Sequence, residues 1–271
     1  MSEECGRRHA GVDVDLPSAA RIYDYALGGA HNFAADRAAA EALFRAVPDG
    51  PQVAWSNRTF LQRAVRYCGE QGVRQFLDLG SGIPTVGNVH EIAHQIDPQA
   101  RVVYVDNEPV AVQTTRRLLD GVDNAAIVEA DVRDAEAVLC APQTRRLLDF
   151  SRPVGLMMVA VLHYVSVEED VNKLVARYVS ALVPGSFLVV SHTTEHPRPD
   201  LQAAIKKVFA ETSTPVTHRS RAEVASLFSG LELVEPGVVW TPEWRAEDGS
   251  DPLYAEPERS STFAAVGRVI G

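Results

Sequence analysis

The spacing of apolar residues changes character once along the chain. From Pro17 to Gly72 it is helical: Val53, Asn57, Phe60, Leu61, Ala64, Val65 and Cys68 recur at intervals of three and four, and Gly69 and Gly72 close that stretch. Beyond it, short β-rich runs alternate with amphipathic segments. The runs are Gln75–Leu79, Arg101–Val105, Ala126–Ala130, Val154–Val161 and Ser186–Ser191. Such alternation predicts a parallel sheet, and the unbroken apolar run Val154–Val161 predicts a central strand covered on both faces. One intervening helix is announced by the capping box Ser166-Val-Glu-Glu169, with a face of Val171, Leu174, Val175, Tyr178 and Leu182, and Pro184-Gly185 ends it. Two further strands, Leu231–Trp240 and Thr262–Ile270, are joined by a polar loop holding Pro242, Pro252 and Pro257, which predicts an antiparallel pair at one sheet edge.

The predicted fold class is therefore α/β: a doubly wound, mostly parallel seven-stranded sheet with an antiparallel C-terminal edge and an N-terminal helical cap. Residues 1–16 read as a flexible tail, 17–72 as the helical cap or lid, and 73–271 as the sheet domain, packed with the cap into a single unit.

Composition narrows the function. The 271 residues suffice for one large domain. The net charge of −10, with no basic run, speaks against a nucleic-acid partner. No apolar stretch approaches the roughly 20 residues that cross a bilayer, and Met1 to Asp15 lacks a signal-peptide core, so no membrane partner and a cytoplasmic location are expected. Cys5, Cys68 and Cys140 give neither a disulfide framework nor a metal motif. The absence of CxxxCxxC disfavours iron–sulfur radical chemistry.

Chemistry concentrates at strand ends. Phe76-Leu-Asp-Leu-Gly-Ser-Gly82 runs from a strand into a glycine-rich turn that lets a ligand approach the backbone, followed by a helix beginning near Asn88. A dinucleotide fold uses a similar turn, but Thr85 stands where its third glycine belongs, and Asp78 would repel a pyrophosphate. The same carboxylate suits an ammonium and a sulfonium. Asp106, 28 positions on, ends the next strand and can accept from two ribose hydroxyls; Asp131-Val132 ends the third and can meet an adenine edge. Ligands of open parallel sheets bind beyond such strand ends, so three acids on three successive strands converge on one crevice.

This arrangement resembles the Rossmann-like S-adenosylmethionine-dependent methyltransferases over residues 76–132. The segment Pro17 to Phe33, Asn57-Arg58, Phe76 to Glu91 and Tyr104 to Asn107 resemble one subfamily of these enzymes, long catalogued as a domain of unknown function. The resemblance implies S-adenosylmethionine as cofactor, with Asp78, Gly80, Ser81 and Gly82 at its methionine end, Asp106 and Asn107 at the ribose, Asp131 and Val132 at the adenine, and Leu162 and His163 facing the methyl group. Tyr23, in an aromatic block whose Gly28-Gly29 could hinge a lid, and Asn57 and Arg63, beside the core face of the long helix, are further cofactor-contact candidates; Arg58 stands with them. Each has a plain alternative as a packing or solvated residue.

His163, just past the fourth strand, is the candidate general base, although a sulfonium leaving group makes a strong base optional. His192, Glu195 and His196 could suggest a metal, but no further ligands can be named and none is expected; His90 reads as a packing residue. The expected function is methyl transfer to an unidentified, small-molecule acceptor. The alternatives are a non-catalytic sensor of S-adenosylmethionine or S-adenosylhomocysteine and an NAD(P)-dependent oxidoreductase.

Overall fold

Three helices precede the sheet: α1 (Ala19–Ala26), α2 (Ala34–Ala46) and α3 (Gly50–Glu70). The computed structural model describes residues 12–195, 199–210, 216–247 and 249–271; Cys5, His196 and most of the expected tail lie outside it. α3 begins with Pro51 in its first turn and buries Phe60, Leu61, Ala64, Val65 and Cys68 along the face that the sequence spacing marks. Gly69 lets α3 lie close to the following helix, because a Cβ there would stand 2.5 Å from Ile96 Cδ1.

The alternating region then unrolls as β1 (Gln75–Leu79), α4 (Val89–Ile96), β2 (Arg101–Asp106), α5 (Pro109–Leu118), β3 (Ala125–Glu129), α6 (Ala135–Cys140), α7 (Pro142–Leu147) and β4 (Gly155–Val159). It continues with α8 (Val171–Val179), β5 (Phe187–Thr193), α9 (Pro199–Ala210), α10 (Arg221–Ser226), β6 (Leu231–Leu233), β7 (Val239–Trp240) and β8 (Thr262–Val269). The order across the sheet is β3-β2-β1-β4-β5-β8-β6, with β7 also paired to β8. β1 to β5 are parallel, and β8 runs antiparallel to β5, β6 and β7. β1 has β2 on one flank and β4 on the other, so the chain reverses direction across the sheet there and opens a crevice at the carboxyl ends.

Successive strand residues enter different cores. Leu77, Val103, Leu156 and Leu188 pack on one face, whereas Phe76, Val102, Met157 and Val189 pack on the other with α3 and α4. Both faces being covered explains the nearly continuous apolar strands.

Two elements depart from the expectation. The expected strand Leu231–Trp240 is broken into β6 and β7 by Glu235-Pro236-Gly237, where Pro236 offers no N–H and Gly237 takes φ +83°, so the sheet has eight strands rather than seven. The Ser166 box forms only a turn: the Ser166 N–H donates to Glu169 at 3.0 Å, but α8 starts at Val171, after Asp170 accepts from the Lys173 N–H at 3.0 Å. Among the described residues Cys68 and Cys140 are free thiols, and no helix is long and apolar enough to cross a membrane.

Candidate functional site

The glycine turn is shaped by its neighbours on both flanks. The Gly80 and Ser81 N–H groups donate to the Val105 carbonyl at 2.8 and 3.1 Å, tying the turn to the end of β2. Gly80 (φ +67°) faces the segment after β4 so closely that a Cβ would stand 2.2 Å from Val161 Cγ2. The Gly82 N–H donates to Asp106 Oδ2 at 2.7 Å, and the Glu108 N–H donates to Asp106 Oδ1 at 2.8 Å. A carboxylate oxygen has a second lone pair, so Asp106 can still accept from two hydroxyls.

Asp78 lies on β1 beneath this turn, 5% exposed. Burial pushes its carboxyl up to about 7, against the opposing pull of the Arg58 guanidinium and with reinforcement from Asp106. Burial also raises Asp106, against its backbone donors. Asp131 behaves differently, because Arg133 clasps it through its backbone N–H (2.8 Å), Nε (2.9 Å) and Nη2 (2.5 Å), which holds the carboxyl below its usual range. Asn107 Nδ2 donates to the same carboxylate at 3.4 Å.

The helical cap is tied to these strand ends at two points. Buried Arg21 on α1 pairs with Asp36 at 3.0 Å and with Glu108, the N-cap of α5, at 3.3 Å. Asp24 accepts from Thr85 Oγ1 at 2.9 Å in the glycine turn's continuation. It also accepts from the His31 N–H at 2.9 Å, and Gly29 packs against it so tightly that a Cβ would sit 2.0 Å from its Oδ1. Gly29 is thus packed against a carboxylate, while Gly28 takes φ +81° with open space at its Cβ position. Tyr23 donates to the Ala54 carbonyl at 3.0 Å and accepts from Asn57 Nδ2 at 2.9 Å, while Asn57 Oδ1 accepts from Ser191 Oγ at 2.5 Å on β5. This chain of bonds links α1, α3 and the sheet.

Between cap and strand ends lies a cavity of about 800 Å³, large for a small-molecule site. Of the sequence-predicted residues, Tyr23, Asn57, Asp78, Gly80, Ser81, Gly82, Asp106, Asn107, Asp131, Val132 and His163 line it. Arg63 and Leu162 do not. Arg63 turns away from the cavity to the C-terminal loop, donating to the Thr241 and Trp244 carbonyls at 2.7 and 2.8 Å and pairing with Asp251 at 3.3 Å. Leu162 is fully buried in the core, and its carbonyl is taken up by Arg219 at 2.9 Å and the Val165 N–H at 3.2 Å. Arg58 does line the cavity, with its guanidinium 5.8 Å from the Tyr23 ring centre.

His163 sits in the 3₁₀ turn Leu162–Tyr164 after β4, its ring 4.3 Å from that of Tyr164 and 5.7 Å from that of His192. Burial, assisted by His192, His218 and Arg219, drives its pKa well below the ordinary histidine value, so the ring is neutral. Arg219 Nη1 donates to His192 Nε2 at 2.8 Å, which leaves His192 Nδ1 to donate to the Thr193 carbonyl at 2.7 Å and fixes a neutral tautomer. No group of three metal-ligating side chains occurs among the described residues, and His90 is engaged with the Tyr104 hydroxyl at 2.6 Å, behind β2.

Two further lining residues carry no sequence signal: Glu108, and Ser261 in the polar run before β8. Six buried side-chain polar atoms lack a partner among the described residues, and four of them belong to residues lining this cavity: Arg58 Nε, Ser81 Oγ, His163 Nδ1 and Ser261 Oγ. Buried polar groups are paired in the great majority of cases, so this concentration marks a place built for a polar ligand.

Comparison with known proteins identifies the family. A profile of the S-adenosyl methyltransferase family matches residues 6–270. The crystal structure of a protein assigned as a methyltransferase, from Thermobifida fusca YX, is 42% identical, with 96% of this chain and 97% of that one covered and a TM-score of 0.89. A DUF574 family protein from Streptomyces avermitilis MA-4680 is 37% identical, with 95% of this chain and 100% of that one covered and a TM-score of 0.90. An O-methyltransferase family protein from Burkholderia thailandensis, 16% identical at a TM-score of 0.50, shares the fold alone over 82% of this chain and 60% of its own. No curated protein matches the sequence. The match over almost the whole length decides between a methyl-transfer enzyme and the sensor and oxidoreductase alternatives: the chain belongs to the S-adenosyl methyltransferase family and uses S-adenosylmethionine as its cofactor.

Proposed function

We propose that the acidic half of the cavity is the cofactor cradle and that the acceptor is a small molecule enclosed beneath the helical cap. Asp78 faces the ammonium end, beside the turn Gly80-Ser81-Gly82 and opposite Arg58, whose Nε lacks a partner. Asp106 and Asn107 hold the ribose, and Asp131 and Val132 the adenine side. The cofactor supplies a methyl group on a positively charged sulfur, an excellent leaving group. The protein's work is to hold a nucleophile in line, exclude water and receive a proton.

His163, neutral and at the cavity wall, is placed to receive it. Residues 17–72 act as a lid, fastened to the strand ends through Arg21–Glu108 and Asp24–Thr85. The net charge of −10 and a cavity of small-molecule size support a small acceptor over a nucleic acid.

The observation that carries this reading is the convergence of Asp78, Asp106 and Asp131 on one cavity. A double variant, Asp78→Ala with Asp106→Ala, tests it by equilibrium dialysis against S-adenosylhomocysteine. An affinity at least about 100-fold weaker is expected with an unchanged circular dichroism spectrum, since two buried ligand contacts are worth a few kcal/mol. Unchanged affinity would sink the assignment.

A further inference from the structure

The cavity does not end where the acids end. It touches the tips of β3, β2, β1, β4 and β5 and the start of β8. Six strands at about 4.8 Å spacing make a trough on the order of 24 Å long. Asp131, Asp106 and Asp78 occupy the first half. The second half carries His163, Thr193 and Ser261, and the cavity wall also holds apolar side chains of the cap and its surroundings: Ile22, Leu43, Phe44, Val53 and Val216.

Its polar equipment is specific. Ser261 is a non-glycine residue held at φ +43°, a strained conformation, while its carbonyl accepts from the Thr194 N–H at 2.9 Å and from Thr193 Oγ1 at 3.4 Å. Its backbone is therefore pinned over the β5 tip, whereas its Oγ has no partner. His163 likewise has Nδ1 unpartnered in a ring wedged between Tyr164 and His192. Among the described residues lining this half the one full charge is Arg259, already paired with Asp49 and Glu256.

We propose that this half is the acceptor subsite and that it takes an uncharged, apolar-bodied small molecule carrying a phenolic hydroxyl, oriented by Ser261 Oγ and deprotonated by His163. The proposal rests on the cofactor assignment above. Among the described residues lining this half a protonated amine would meet no carboxylate, and a carboxylic acid would meet only an arginine already engaged; both charges are costly to bury unpaired. The neutral imidazole of His163 is a weak base, which suits a hydroxyl of pKa near 10, as in a phenol, rather than an aliphatic alcohol. In the step itself an oxygen lone pair forms the O–CH3 bond as the C–S bond breaks and its electron pair returns to sulfur. The hydroxyl proton passes to His163 and from there to solvent, so the products are a methyl ether, neutral S-adenosylhomocysteine and one released proton.

The test titrates the protein, first saturated with S-adenosylhomocysteine, with 2-naphthol, 2-naphthoate and 2-naphthylmethylammonium, and then follows turnover of 2-naphthol with S-adenosylmethionine. We expect 2-naphthol to bind at least about tenfold more tightly than either ion, and Ser261→Ala to weaken it about five- to tenfold, the worth of one hydrogen bond. His163→Gln should leave its affinity within about twofold while lowering turnover at pH 7 by about 100-fold or more. The residual turnover should then climb about tenfold per pH unit toward the naphthol's own pKa, a profile that loss of packing alone does not create. Tighter binding of either ion, no binding of 2-naphthol to the loaded protein, or a His163→Gln variant with unchanged rate and pH profile overturns the inference while the cofactor assignment stands. Failure of S-adenosylhomocysteine itself to bind removes both.

Discussion

Of the carboxyls proposed to hold the cofactor, that of Asp78 is brought by burial to neutral pH, with Asp106 raised beside it. Burial raises Asp78 from the usual carboxylate range to about 7, with Arg58 opposing and Asp106 and the neighbouring Tyr104 packed beside it. Because the folded protein holds this proton more tightly than the unfolded chain, the contribution of Asp78 to stability is fully present below the unfolded value near 4 and is lost as pH rises toward 7. The expected loss is on the order of 4 kcal/mol, readable as a falling urea midpoint between pH 4.5 and 7.5, less whatever other groups contribute. Affinity for S-adenosylmethionine should run the other way: its ammonium needs the carboxylate, so Kd tightens up to about tenfold per pH unit below 7 and levels off above. Asp78→Asn should flatten both curves apart from the part that Asp106, also raised by burial, contributes. A wild-type affinity independent of pH from 5.5 to 8 would show that Asp78 does not titrate on binding.

Elements decide which of two similar residues reaches the site. Arg58 and Arg63 both lie on α3, but five residues at 3.6 per turn rotate the helix by about 140°, so they cannot face the same way. The sequence shows both beside the apolar face; only packing against the C-terminal loop tells that Arg63 belongs to Thr241, Trp244 and Asp251. Arg63→Ala should therefore lower unfolding free energy by about 3 kcal/mol, the cost of breaking a largely buried charged network, and leave S-adenosylhomocysteine affinity within about twofold. A loss of affinity without loss of stability would return Arg63 to the site. The 3₁₀ turn bearing His163 has a comparable clamp, since Arg219 donates to the Leu162 and Val165 carbonyls at 2.9 and 3.0 Å and to His192. Arg219→Met should cost about 2–4 kcal/mol in thermal or urea unfolding and depress methyl transfer more than cofactor affinity.

These cases also mark what the sequence makes legible. Strand ends could be read because Asp78, Asp106 and Asp131 each follow an apolar run, and the start of α4 near Asn88 because the glycine turn gives way there to helical spacing; the structure adds that the Asn88 N–H donates to Glu91 at 2.8 Å. Ser261 could not be read, because its role depends on β8 being inserted beside β5, a pairing between residues some 70 positions apart that no local pattern encodes. The splitting of β6 from β7 was written in Pro236-Gly237, though the apolar residues around them masked it.

At the scale of the whole molecule, one sheet order underlies the proposed division between cofactor and acceptor. Placing β1 between β2 and β4 brings three acids from the first half of the chain to one side of the crevice, and inserting β8 beside β5 brings Ser261 to the other. The helical cap is tied to the strand ends by Arg21–Glu108 and Asp24–Thr85, as the proposed lid role requires. The most direct measurement of this account is calorimetric titration of the purified protein, in parallel, with S-adenosylmethionine, S-adenosylhomocysteine and NAD. Micromolar binding of the two sulfur ligands, with none of NAD and with loss of both in the Asp78→Ala, Asp106→Ala protein, is the predicted result. Binding of NAD, or binding of the sulfur ligands undiminished in that variant, would contradict the assignment of the acidic strand ends to the cofactor.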